Sequence, residues 1–152
     1  MKILDMLHLE SINPDLKAKD KAGILEEMAT AMAKAARLPA RDLLRALTDR
    51  EQLGSTGIGD GIGIPHGKVK GLSSMVIGFG LSKRGVDFDS IDGRPTHLFF
   101  TLITPDQSTG LHLKLLSRIS RILKNDGFKS RLMRAAHAED IYSIIQGEDE
   151  EF

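Results

Sequence analysis

A single α/β domain with a covered sheet is what this sequence predicts, on three observations. Residues 97–103 (His-Leu-Phe-Phe-Thr-Leu-Ile) form a nearly continuous apolar run, the mark of a central strand buried on both faces. Helix-period stripes lie both before and after that run. No repeat, low-complexity segment or linker divides the 152 residues, so residues 1–152 read as one domain.

Taken in order, residues 1–11 open with Ile3, Leu4, Met6 and Leu7, a short helical turn passing into an extended piece through Ile12. Asn13-Pro14-Asp15 is a turn. From Asp20, whose carboxylate suits an N-cap, Ile24, Leu25, Met28, Ala31, Met32 and Ala35 mark one helix face. Leu38-Pro39 stops this helix, and Pro39 suits the first position of the next. That second helix turns Leu43, Leu44 and Leu47 inward and ends near Leu53-Gly54. Residues 74–81, with Met75, Val76, Ile77, Phe79 and Leu81, read as a strand bounded by Gly71 and Gly85, and residues 86–88 add a short one. Asp92-Gly93 is a turn before the central run, which Pro105 ends. Ser108 or Thr109 caps a long helix striped by His112, Leu115, Leu116, Ile119, Ile122 and Leu123. Asn125-Asp126-Gly127 breaks it, residues 128–136 and 139–145 form two further helices, and residues 147–152 are a frayed acidic tail.

Composition narrows the function. Hydrophobic residues at 41% and charged residues at 28% are ordinary for a globular protein. Cysteine is absent, which removes disulfides and thiolate metal sites and suits a reducing, cytoplasmic setting. No secretory signal and no run of 18 apolar residues is present, so no membrane insertion is expected. Twenty-one basic residues balance twenty-one acidic ones, with one Tyr and no Trp, which is not the basic footprint of a nucleic-acid binder.

The chemistry concentrates in residues 50–68, a stretch of nineteen residues holding six of the fifteen glycines. It ends on Ile64-Pro65-His66-Gly67, where Pro65 fixes its own φ and favours extended geometry at Ile64. A histidine framed in this way should project from a rigid strand end. Neutral imidazole offers one ring nitrogen as a nucleophile. Nucleotide-binding motifs do not fit. A P-loop needs four residues between Gly and Gly-Lys and then Ser or Thr. Here five residues separate Gly61 from Gly67-Lys68, and Val69 follows. A dinucleotide fingerprint fails because Ile62 or Ile64 stands where its third glycine belongs.

Ser55-Thr56-Gly57-Ile58-Gly59-Asp60-Gly61-Ile62-Gly63-Ile64-Pro65-His66-Gly67, preceded by Arg50-Glu51, resembles the active-site signature of EIIA domains of the fructose/mannitol class. These belong to the bacterial phosphoenolpyruvate-dependent phosphotransferase system. Gly63 departs from the family's usual Ala. The resemblance runs over about residues 4–146 and implies a mixed sheet flanked by helices on both faces. It implies that His66 receives a phosphoryl group on Nε2, with Nδ1 oriented by a hydrogen bond to the protein. It further implies that Arg50 stabilises the phosphoryl group and that His112, in Leu111-His112-Leu113, donates a hydrogen bond to its oxygens. A planar guanidinium matches a phosphoryl group, and backbone amides of the glycine segment, Gly57 among them, suit a nest around its oxygens. Ser55 and Thr56 either donate hydroxyls to that group or cap the turn. His97 reads as structural, His8 and His137 as surface residues, and Glu51 and Asp60 as helix-end and turn residues. No cofactor or metal is expected.

Two other classes compete. A metal hydrolase could assemble His66, His97, His112 and Asp60, but no metal-ligand spacing supports it. A non-catalytic binding module would make the glycine segment a tight turn only. Within the family, the chain most resembles the nitrogen-regulatory type, which takes its phosphoryl group from an HPr-like donor and acts on regulatory target proteins. The alternative is the EIIA component of a fructose/mannitol-type sugar transporter, passing phosphate to an EIIB.

Overall fold

The computed structural model of the chain describes residues 2–150, apart from the Thr109 side chain. Met1 of the opening turn, Glu151 and Phe152 of the tail, and Thr109 as a capping side chain lie outside the described residues. A 3-10 turn at Ile3–Asp5 leads into β1 (Leu7–Asn13). Helix α1 (Lys21–Ala36) starts where Asp20 accepts the Gly23 amide at 2.8 Å and ends at Arg37 in the left-handed region. Pro39, with an extended backbone, is the N-cap of α2 (Ala40–Glu51), so the helix starts one residue after the expected position.

The glycine stretch holds more strand than its sequence suggested. It contains β2 (Gly57–Gly59), β3 (Ile62–Gly63) and β4 (His66–Val69). Asp60 and Gly61, at φ +56° and +77°, form the two-residue turn between β2 and β3. Both central residues at positive φ give the twist that suits a tight hairpin. Strand β5 (Val76–Val86) absorbs the first residue of the short strand expected at 86–88; Phe88 lies beyond it as a buried core side chain. A register shift between Leu81 and Val86 accommodates the extra length, with Gly85 at φ +84° against the His97 ring. The central strand is β6 (Thr96–Pro105).

Helix α3 (Thr109–Ile122) follows, then α4 (Asp126–Arg134), capped by Asn125, and α5 (Ala138–Glu150). The last helix corrects the expectation of a frayed tail from residue 147. Asp149 is fully buried and Glu148 nearly so, because Arg118 Nε meets Asp149 at 2.9 Å and Arg131 meets Glu148 at 3.3 Å. Acidic residues that find partners inside the fold extend the helix instead of fraying it.

The mixed sheet has the order β1-β5-β6-β3-β2, with β4 also paired to β6. β3 and β4 both run parallel to β6, beside Leu98–Phe99 and Leu102–Pro105 in turn, so they are two pieces of one strand. Ile64 and Pro65 are the break. Proline has no amide to give a ladder, yet its carbonyl accepts the Leu102 amide at 2.9 Å, so register survives the interruption. Successive residues of β6 face opposite layers. Leu98, Phe100 and Leu102 join a core with α3, α4 and α5, while Phe99 and Ile103 join one with α1 and α2. The helices cover both faces of the sheet. Gly63 stands where an added Cβ would lie 3.2 Å from Phe99 and Thr96, so the missing side chain leaves room for the Phe99 ring.

Candidate functional site

The first residue of β4 is His66, at the point where the broken strand resumes. α2 reaches it from one layer and α3 from the other. Close approach of α2 depends on Gly67, where a Cβ would stand 2.9 Å from the Ala46 backbone. With no side chain there, the last turn of α2 lies against β4, and Arg50 Nε donates to His66 Nε2 at 3.2 Å. Its Nη1 also donates to the Gly54 carbonyl at 2.9 Å, which fixes the guanidinium at the helix end.

His66 Nδ1 lies 2.8 Å from the Ile64 carbonyl. A carbonyl only accepts, so Nδ1 carries the proton and the Nε2 lone pair points out toward Arg50. Burial is the main influence lowering the His66 pKa; the Ile64 bond raises it, Arg50 lowers it and Glu51 raises it, with a net shift below the ordinary imidazole value. The ring is therefore neutral at physiological pH, as a nucleophile requires.

His112, on the first turn of α3, packs edge-on against His66 with ring centroids 5.0 Å apart. Its Nδ1 lies 3.1 Å from the Thr104 hydroxyl. Burial, then the neighbouring His66, Lys68 and Arg50, push its pKa down to about 4. Together these groups line an open cavity of about 470 Å³ with Lys68, Leu53 and Leu113 at its walls. Leu53 is 84% exposed and Leu113 60%, so an apolar rim surrounds a histidine pair and cationic groups. Such a site can bind an anion beside a nucleophile and still admit a macromolecular partner.

The residues expected around the phosphoryl group divide. His66, Arg50 and His112 come together. Ser55, Thr56 and Gly57 are turned to the loop's own frame: Ser55 Oγ donates to the Phe88 carbonyl at 2.7 Å and accepts the Gly57 amide at 3.0 Å. The hydroxyl and amide of Thr56 both donate to the Glu51 carboxylate. Of the two roles left open for Ser55 and Thr56, the loop-holding one matches these bonds. His97 Nδ1 meets the Ser82 carbonyl at 2.9 Å, and with Asp60 it lines a separate cavity, so these two are not gathered with His66. Among the described residues no group of three His, Cys, Asp or Glu is placed to hold a metal.

Thr104 was missed, and Lys68 and Glu51, which the sequence offered only as a lone lysine and a helix-end residue, also stand close to these groups. Lys68 is two residues after His66 on β4, hence on the same strand face, a signal that the unrecognised strand concealed. Thr104 pairs with Lys68 across the ladder, which only the register reveals. Glu51 is buried behind Arg50.

Comparison with known proteins gives the family and the fold of the chain. The family model for the phosphoenolpyruvate-dependent sugar phosphotransferase system, EIIA 2, matches residues 5–148. A nitrogen regulatory protein of Bradyrhizobium diazoefficiens is 37% identical over 95% of this chain and 95% of its own length. A fructose-specific EIIABC component of Bacillus subtilis is also 37% identical over 98% of this chain, which spans only 24% of that protein's length. The crystal structure of the nitrogen regulatory protein IIA-Ntr from Neisseria meningitidis superposes with a TM-score of 0.87 at 33% identity, covering 93% of this chain and 97% of that one. Enzyme IIA mannitol of Escherichia coli, at 19% identity, shares the fold with a TM-score of 0.78. No helix among the described residues is long and apolar enough to cross a membrane. By the match over nearly its whole length and by its full-length relatives, the chain belongs to the EIIA family of the phosphoenolpyruvate-dependent phosphotransferase system.

Proposed function

We propose that His66 accepts a phosphoryl group on Nε2 from an HPr-like phosphohistidine donor, and that the loaded and unloaded forms are read by regulatory target proteins in the cytoplasm. The observation that carries this reading is the Nδ1 bond to the Ile64 carbonyl, which leaves Nε2 as the lone-pair nitrogen at the cavity mouth. In the transfer, that lone pair attacks phosphorus in line with the donor's P–N bond. A new N–P bond forms on His66, the donor bond breaks, and its electron pair returns to the donor imidazole. No proton has to leave Nε2, because Nδ1 already holds the only ring proton.

In the resting site Arg50 Nε occupies the nucleophile's lone pair, so the guanidinium turns from the ring to the arriving oxygens as transfer proceeds. Its planar fork suits that hand-over better than a point charge. When the Thr104 hydroxyl donates to His112 Nδ1, the His112 proton sits on Nε2, available to a phosphoryl oxygen. Lys68 adds positive charge on the same strand face. Ser55, Thr56 and Gly57 hold the loop. A phosphoryl group adds roughly −1.5 to −2 charge, enough to alter docking on the apolar rim.

The test is intact mass after incubation with phosphoenolpyruvate, enzyme I and an HPr-type donor, before and after acid. One acid-labile phosphoryl group should appear, be absent in His66→Ala, and form more slowly in His112→Ala. No gain from a donor proven active would overturn the reading. The match to the Bacillus fructose-specific component favours a second output, transfer onward to an EIIB. Loss of the label to an added EIIB would support it, and retention would leave the regulatory output.

A further inference from the structure

α2 carries a stripe at four-residue spacing, Leu43, Leu47 and Glu51, all buried. A third leucine would continue that stripe, and a carboxylate in its place costs desolvation unless it is fully partnered. Glu51 has its partners: Lys21 Nζ at 2.7 Å, the Thr56 amide at 3.2 Å, and the Thr56 hydroxyl. Lys21 in turn sits over the Phe88 ring, 4.8 Å from its centroid. None of these groups touches the cavity around His66, and the phosphoryl chemistry makes no use of them.

What they hold does reach His66. The Thr56 carbonyl accepts the Ile64 amide at 3.0 Å, and the Ile64 carbonyl accepts from His66 Nδ1 at 2.8 Å. A continuous path of hydrogen bonds therefore runs from Lys21 through Glu51, Thr56 and Ile64 to the nucleophile's ring. It crosses the break in the strand, where Pro65 still bonds to β6 through its carbonyl but no sheet ladder fixes the Ile64 carbonyl. The neighbouring Arg50 grips the same loop at Gly54, so two consecutive residues hold residues 52–56 at two points.

We infer that Lys21, Glu51 and Thr56 are positioning residues for His66: the buried Lys21–Glu51 pair anchors Thr56, and Thr56 fixes the Ile64 carbonyl that sets the ring's tautomer and aim. The inference rests on His66 being the phosphoryl acceptor, and it gives the glutamate of the Arg50-Glu51 pair a task. A displaced acceptor at Ile64 would let the proton move to Nε2, and a protonated Nε2 has no lone pair for phosphorus.

Thr56→Val and Thr56→Ser separate this from a role in stability alone. Valine is nearly isosteric but its side chain cannot donate to Glu51, leaving only the residue's amide on that carboxylate, whereas serine keeps the hydroxyl. Nitrogen-15 NMR of the His66 ring reads the tautomer directly, without any donor protein. The expected result is a ring protonated on Nδ1 in the wild type and in Thr56→Ser, and a mixture of tautomers in Thr56→Val. The phosphorylation rate should fall about tenfold or more in Thr56→Val, as misplacement of a reacting group does, and recover in Thr56→Ser. Glu51→Gln, which keeps an acceptor for Thr56 but ends the ion pair with Lys21, should give an intermediate loss. An unchanged tautomer and rate in both Thr56→Val and Glu51→Gln would overturn the inference, even where melting temperatures drop. If the wild type takes no phosphoryl group, the functional reading has failed, and the tautomer shift still decides whether the path orients His66.

Discussion

Acid should unfold this protein in part through His112. The side chain is 6% exposed, and burial together with His66, Lys68 and Arg50 pushes its pKa down to about 4. In the unfolded chain the same imidazole titrates near 6.5. The folded value is the lower one, so the unfolded state takes up the proton first as pH falls. Stability from the neutral ring is complete above the unfolded value and drains away as pH drops toward 4. At about 1.4 kcal/mol per pKa unit, the site is worth roughly 3 kcal/mol. That is a large share of the ~5–15 kcal/mol that holds a domain together. Urea unfolding of the wild type and of His112→Gln, from about pH 7 to about pH 4.5, isolates the effect, because glutamine does not titrate and other acid-sensitive groups are common to both. The wild type should lose roughly 2–3 kcal/mol more than the variant over that window. Parallel pH profiles, or a His112 titration by NMR near 6.5, would refute the reasoning.

Arg50→Lys keeps the charge but loses the planar fork and the bond to the Gly54 carbonyl; phosphorylation measured by intact mass should slow by about 10- to 100-fold with little change in fold. Gly67→Ala places a methyl 2.9 Å from the Ala46 backbone, so α2 must move off β4. A stability loss of about 1–3 kcal/mol in denaturant melts, with slower phosphoryl uptake because α2 carries Arg50, is the expected pair of results. Asp149→Ala removes a fully buried carboxylate that binds Arg118 and the Leu4 amide. The stranded guanidinium should lower stability by roughly 3–5 kcal/mol, read from the denaturant midpoint, while His66 still accepts phosphate.

The layers of the fold were legible because their signal is periodic and local. The stripe from His112 to Leu123, the apolar run of β6 and the Asp20 cap each need only neighbours in sequence, and each is where the spacing puts it. The acidic tail misled because charge reads as solvent until its partners are known. Arg118, thirty-one residues before Asp149, is too distant in sequence to signal that the last turn is pinned. Asp60-Gly61 is a strong hairpin signal in principle. Its flanks here are mostly glycine and small, so no alternation of apolar and polar side chains announced β2 and β3.

The site was legible to the extent that its groups announce chemistry in their own sequence frame. Proline before His66 and glycine after it mark a constrained histidine, and both constraints serve it: Pro65 interrupts the strand, and Gly67 admits α2. Ser55 and Thr56 show the opposite case. A hydroxyl beside a glycine-rich turn is equally suited to an anion and to the loop's own backbone, and only the positions of Phe88 and Glu51 decide between them. Glu51 was hardest to read because a helix end is where an acidic residue usually meets water. Its burial follows from α2 packing on the sheet, which follows from Gly67, sixteen residues on. The same absent side chain thus brings Arg50 to His66 and encloses Glu51 behind it. Substitution at Gly67 should therefore disturb the guanidinium contact and the His66 tautomer together.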